Sequence, residues 1–173
     1  MKKHEKYMLE ALKEAKKAYL LDEVPIGCVI VKDNKIIARA HNKRENKEST
    51  LAHAELLAIE KANKKLNSWR LEDCDLYVTL EPCMMCVGAI IQARIKHLYF
   101  GATDNKSGAL GGSFNVLKNK FNHKLLVTKN VLKEESEIII KDFFKQLRKW
   151  KSPSSIAIRL LIVNLVRSWL KQP

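Results

Sequence analysis

Residues 75–100 read DLYVTLEPCMMCVGAIIQARIKHLYF, and the order of elements in this run decides the fold. Residues 75–80 are a short apolar run and predict a strand. Pro82 stands where a helix would begin, because the N–H it lacks has no partner in a first helical turn. Residues 83–93 then read as an apolar helix, and residues 97–100 as a second strand. Strand, helix and strand in succession predict parallel pairing through a crossover.

Toward the N-terminus, residues 4–21 place Met8, Leu12, Ala15, Ala18 and Tyr19 at helical intervals. Residues 26–31 predict a buried strand, Asp33-Asn34 a turn, and residues 35–40 the second strand of a hairpin. Residues 41–50 are polar and read as loop, and residues 51–66 as helix. Toward the C-terminus, residues 104–113 form a Gly-rich loop, residues 125–128 a last strand and residues 133–151 a long basic helix. The expectation is an α/β fold in three layers, α/β/α, around a mixed five-stranded sheet.

A chain of 173 residues suits one domain, and 46% hydrophobic with 29% charged residues is ordinary globular composition. Lys plus Arg number 32 against 19 acids, a net charge of +13 that favours an anionic partner such as nucleic acid or an anionic membrane. No stretch reaches the ~18 apolar residues of a membrane span, and the charged start lacks a signal-peptide core. Four cysteines without a secretory signal read as free thiols or metal ligands, in a cytoplasmic protein. The character changes at Ser152. Residues 151–173 hold no acid and four cations, +4 of the total, and Arg159, Asn164, Arg167, Ser168 and Lys171 share one half of a helix opposite Ile, Leu, Val and Trp. Two regions are therefore expected, a domain over residues 1–151 and a basic, apolar extension over residues 152–173.

The chemistry concentrates in Ala52-His53-Ala54-Glu55 and Pro82-Cys83-Met84-Met85-Cys86, each at the start of a predicted helix. Cys83 and Cys86 are spaced i, i+3, so their thiols share one face of the first turn and can chelate a soft or borderline cation. His53 can supply a third ligand. Three protein ligands leave a position for water, as in catalytic rather than structural zinc sites. Zinc lowers the pKa of such a water from 15.7 towards ~7. Glu55 can move its protons, provided the metal lies off the helix end, since i and i+2 point apart on a regular helix. The set suits metal-assisted hydrolysis. Cys28 and Cys74 read as packing residues, as do Met84 and Met85; Trp69-Arg70 reads as a base-stacking pair or a corner anchor.

The pattern H-A-E followed by P-C-M-M-C resembles the zinc nucleoside deaminases. Glu23-Val-Pro-Ile-Gly27, Ala40-His-Asn42, Ser68-Trp-Arg-Leu71, Leu76-Tyr-Val-Thr-Leu-Glu-Pro-Cys83, Phe100-Gly-Ala102, Phe121-Asn-His123 and Asp142-Phe-Phe144 narrow the resemblance to the bacterial tRNA-specific adenosine deaminases, over about residues 4–150. The resemblance implies a cytidine-deaminase-like fold, one Zn2+ per chain, a homodimer, and conversion of adenosine to inosine at the wobble position of a tRNA anticodon stem-loop. It assigns His53, Cys83 and Cys86 to the metal and Glu55 to proton transfer. It places Asn42, Ile26 and Ala54 at the target nucleoside, and Asp104, Lys106 and Phe144 toward the RNA. The sequence departs from the family at Thr50-Leu51, and the tail from Ser152 has no counterpart. Two other readings stand beside this one: a deaminase of guanine, cytidine or deoxycytidylate, and a non-catalytic zinc module that binds RNA.

Overall fold

The computed structural model describes residues 2–149. Its elements are α1 (Lys3–Leu20), β1 (Gly27–Lys32), β2 (Lys35–His41), α2 (Arg44–Lys47), α3 (Ala54–Leu66), β3 (Cys74–Leu80), α4 (Met84–Gln92), β4 (His97–Ala102), a 3-10 turn at Val116–Lys118, β5 (Leu126–Thr128) and α5 (Lys133–Lys149). The five strands form one sheet in the order β2-β1-β3-β4-β5. β1 is antiparallel to both neighbours. β3–β4 and β4–β5 are parallel, so the mixed sheet expected from the sequence is present. Asp33 and Asn34 both have positive φ, 49° and 60°, the geometry a two-residue hairpin needs to match strand twist.

Alternation along the strands sorts the core into two layers. Cys28, Ile30, Leu76, Val78, Leu98 and Phe100 face one side and pack with Ala58, Val87 and Ile90 of α3 and α4. Val29, Val31, Tyr77 and Tyr99 face the other and pack with Tyr7, Met8 and Ala11 of α1. The rings of Tyr77 and Tyr99, paired across β3 and β4, stack at 4.5 Å, and His4 and His97 extend the column over Tyr99. Cys28 and Cys74 are fully buried, in keeping with packing.

Some local expectations change. Residues 41–50 are not all loop, because α2 lies among them. α2 buries no residue of its own and is held from outside: the buried carboxylate of Glu23 accepts hydrogen bonds from the backbone and side-chain nitrogens of Asn46, at 2.7 and 2.9 Å. α3 starts at Ala54 rather than residue 51, and α4 at Met84 rather than residue 83. Met84 is exposed, so it is not the packing residue expected. Trp69 is exposed too, with the Arg70 guanidinium 4.8 Å above its ring, so it does not anchor a buried corner. The end of the long C-terminal helix expected to residue 151, and the extension over residues 152–173, lie outside the described residues. Among the described residues no helix is long and apolar enough to cross a membrane.

Candidate active site

The start of β1 and the ends of β2, β3 and β4 meet at one edge of the sheet. The backbone N–H of Gly27 donates to Thr79 Oγ1 at 3.1 Å, and the amide of Asn42 donates to the carbonyl of Ile26 at 3.0 Å. The N-termini of α3 and α4 open at this edge, and each is capped by one of the residues in question. His53 is the N-cap of α3 and Cys83 the N-cap of α4, both in extended conformation. Neither is assigned the side-chain cap bond that is the usual work of an N-cap. Each turns toward the other instead. His53 Nδ1 stands 3.9 Å from Cys83 Sγ and 3.5 Å from Cys86 Sγ, and the three donor atoms lie within 4.8 Å of one another. His53 thus sits off the end of α3, which resolves the i, i+2 conflict with Glu55.

A nitrogen and two sulfurs at this separation fit one borderline cation such as zinc. The positive ends of two helices add to the field that favours thiolates here. A hydrogen bond from Cys86, and then one from His53, draws the Cys83 thiol down to about 4. The same bond to Cys83, and then burial, pushes Cys86 up. The bond to Cys83 also raises His53. His41, His97 and His123 are engaged elsewhere, with Glu14, Thr128 and the carbonyl of Ile95 respectively. Among the described residues, Cys74 and His97 do not join the cluster.

Glu55 occupies the first turn of α3, 3% exposed, and burial raises its pKa. Its Oε2 has no hydrogen-bond partner. A carboxylate oxygen left bare beside three metal-type donors has room for a proton-bearing guest. Asn42 is a similar case: 2% exposed, just past β2, with its Oδ1 unpartnered. Ile26 stands opposite it, half-buried, and Ala54 is buried at the head of α3. The structure thus brings Ile26, Asn42, Ala54 and Glu55 to the edge that holds His53, Cys83 and Cys86.

The outer candidates are placed differently. Asp104 turns its carboxylate into its own loop, accepting from the N–H groups of Lys106 and Ser107 at 2.9 and 3.3 Å. Lys106 is exposed. Phe144 is exposed on α5, against the edge of Phe143, whereas Phe143 is buried against Tyr19. Sequence reasoning missed Glu81. Its carboxylate is 2% exposed and accepts three backbone N–H bonds, from Leu110 at 2.7 Å, Gly112 at 3.0 Å and Asp104 at 3.1 Å. Gly108 and Gly112 clear space for it: a Cβ on either would fall about 2.5 Å from that carboxylate. Gly108 bridges to Cys83, and Ala109 donates to the carbonyl of Pro82 at 3.0 Å, so Glu81 ties the Gly-rich loop to the segment that holds Cys83. The signal available was an acid at the apolar strand's end, two residues before Cys83 and followed by a glycine-rich loop.

Residues 2–148 match the MafB19-like deaminases, so fold and site together define a deaminase. The tRNA-specific adenosine deaminase of Bacillus subtilis (strain 168) is 51% identical over 152 residues, covering 87% of this chain and 94% of that one. Its counterpart in Streptococcus pyogenes serotype M18 is 45% identical over 149 residues, covering 86% and 94%. The chain belongs to this family of tRNA-specific adenosine deaminases. A solved structure from a study of A-to-I editing by tRNA:A34 deaminases at the wobble position of transfer RNA has a TM-score of 0.74 and 42% identity, covering 78% of this chain and 98% of that one.

Proposed function

We propose that the protein hydrolyses adenosine to inosine at the wobble position of a tRNA anticodon, with one Zn2+ held by His53 Nδ1 and the sulfurs of Cys83 and Cys86. The observation that carries this is the bare carboxylate oxygen of Glu55 beside that donor set, in a chain 51% identical to a tRNA-specific adenosine deaminase. The metal, when bound, supplies a Lewis acid that makes water nucleophilic at neutral pH. Glu55 takes a proton from the attacking water as its oxygen bonds to C6 of adenine. It passes that proton to the ring nitrogen, then carries the remaining proton of the added hydroxyl to the amine; as C6 gains its carbonyl the C6–N bond breaks, and ammonia and inosine remain. The free amide oxygen of Asn42 holds a hydroxyl or amino group of the nucleoside, with Ile26 and Ala54 as apolar walls. Asp104 shapes the loop, and Lys106 and Phe144 meet the flanking RNA. A net charge of +13 favours a polyanionic substrate over a free base.

A homodimer accords with exposed Leu51 and Met84 in the segments that carry the proposed metal ligands, and a cytoplasmic location accords with a tRNA substrate. The decisive experiment is ammonia and inosine release from a panel: an anticodon stem-loop with adenosine at the wobble position, free adenosine, cytidine and guanine. Turnover of the stem-loop far above the free compounds supports the reading. Comparable turnover of a free base or nucleoside points to a small-molecule deaminase, and no turnover by zinc-loaded protein to a binding module.

A further inference from the structure

Residues 43–52 form a loop that closes on itself at its neck, where the backbone N–H of Lys43 donates to the carbonyl of Ala52 at 3.0 Å. Asn42 and His53 flank that neck, the one a proposed nucleoside contact and the other a proposed metal ligand. The short stretch Glu23-Val24-Pro25-Ile26 grips the loop at two points. The carbonyl of Ile26 accepts from the amide of Asn42 at 3.0 Å, and Glu23 Oε1 accepts from the backbone and side-chain nitrogens of Asn46 at 2.7 and 2.9 Å. The stretch is stiff, since Pro25 fixes its own φ and the amide of Ile26 donates to the carbonyl of Val24 at 2.7 Å. Glu23 is 1% exposed, and its Oε2 has no hydrogen-bond partner. Burying such a group is costly, and α2, which buries no residue, adds little packing to offset that cost.

We propose that Glu23 is a positioning residue for the reaction: through Asn46 it fixes the start of this loop, and with it the placement of Asn42 against Ile26 and the metal site. The proposal rests on the deamination proposed above. Asn42 is held at its backbone by the carbonyl of Ile26, and the chain beyond it runs straight into the loop, so an untied loop lets the Asn42 amide swing relative to Glu55. His53 is held independently, because it caps α3 and its carbonyl accepts from the amide of Leu57 at 3.0 Å. Loss of the tie therefore leaves the metal in place and misplaces the nucleoside, and a misplacement of about 1 Å can slow a chemical step by about 10²-fold. Affinity for the RNA, set largely by its phosphates, should change little. A residue that only supported the fold would lower the melting temperature and leave the turnover of folded, metal-loaded enzyme as it was.

The test compares the zinc-loaded parent with Glu23→Ala, Glu23→Gln and Asn46→Ala. It reads inosine formation at saturating wobble-adenosine stem-loop, stem-loop affinity, zinc content and amide exchange at residue 46. In Glu23→Ala turnover should fall about tenfold or more, with the parent's zinc content and an affinity within about threefold of the parent. Glu23→Gln, whose amide oxygen can accept both bonds, should restore turnover to within about threefold. Asn46→Ala loses the side-chain bond and keeps the backbone one, so its turnover should fall by an intermediate amount. Asn46 is exposed, so that variant should fold, and it decides the matter where Glu23→Ala does not. The amide of residue 46 should exchange slowly in the parent and about tenfold faster in Glu23→Ala, a readout that needs no RNA. An active parent matched in turnover by Glu23→Ala and Asn46→Ala would overturn this proposal alone, as would fast exchange at residue 46 in the parent. A parent that forms no inosine would overturn the deaminase reading and this proposal with it.

Discussion

Replacing Glu55 by Gln preserves the volume of a buried side chain and removes its ability to accept a proton. Since Glu55 is not among the three clustered donors, Glu55→Gln should retain the metal and fold while turnover falls by about 10²–10⁴ or more. Cys83→Ser and Cys86→Ser should do the reverse in order of cause, losing most of the metal first and activity with it. Elemental analysis beside inosine formation separates the two classes; a Glu55→Gln enzyme within tenfold of the parent would remove Glu55 from its role. Glu14 offers a second test, one that reads stability rather than turnover. Burial alone would raise its pKa, but hydrogen bonds from His41 Nδ1 at 3.0 Å and from Lys17 at 2.6 Å outweigh it and hold the group at about 2. A depressed pKa contributes stability that is complete above the ordinary value of 4.5 and is lost as pH falls through about 2. The stability advantage of the parent over Glu14→Gln, from urea midpoints, should therefore shrink between pH 4.5 and 2. A pH-independent difference would contradict the assignment.

The loop over residues 104–112 is held by one side chain, and that makes an element-level prediction. Glu81→Ala leaves the N–H groups of Asp104, Leu110 and Gly112 without their acceptor, at about 1–3 kcal/mol for each that stays dry. The domain should melt several degrees lower, and KM for a stem-loop should rise more than kcat falls, because the loop carrying Lys106 loosens. A variant with unchanged melting and KM would mean that water replaces the carboxylate without loss. The elements themselves were legible wherever period and punctuation agreed. The strand, proline and helix of residues 75–93 announced β3 and α4, and Asp33-Asn34 announced the hairpin. α2 was not legible, because four polar residues carry no period and their support, Glu23, lies some twenty positions away. The cluster of His53, Cys83 and Cys86 could be anticipated from spacing, whereas the two helix caps that aim it could not. Cap geometry depends on where each helix starts, and the sequence placed both starts too early. Asp104 shows the same limit: the resemblance points it toward the RNA, and only the folded loop reveals that its carboxylate accepts from the N–H groups of Lys106 and Ser107.

At the scale of the whole molecule the governing quantity is charge. Residues 151–173 carry +4 of the +13, which leaves +9 on residues 1–150, the part that contains the candidate site. An adenine held in a stacked strand hides its C6, so the nucleotide must be splayed into the pocket, and an anticodon loop already presents partly unstacked bases. The energy for holding that loop open then comes largely from cations on the flanking phosphates, and such binding is salt-dependent through counterion release. Lys106 lies exposed on the loop that Glu81 clamps against the segment holding Cys83, and the proposed function has it meet a phosphate next to the target nucleotide. Affinity for a wobble-adenosine stem-loop should fall steadily with rising salt. Lys106→Ala should lower the slope of log affinity against log salt by about 0.7, the share of one single-stranded phosphate. Inosine formation at saturating RNA should change little, because no proton transfer passes through Lys106. The measurement is a fluorescence-anisotropy titration of labelled stem-loop at four or five salt concentrations, for parent and variant. An affinity indifferent to salt would mean that the positive surface serves another partner, and an unaltered slope in Lys106→Ala would move the phosphate contact elsewhere, with the exposed lysines of α5 the next to be tested.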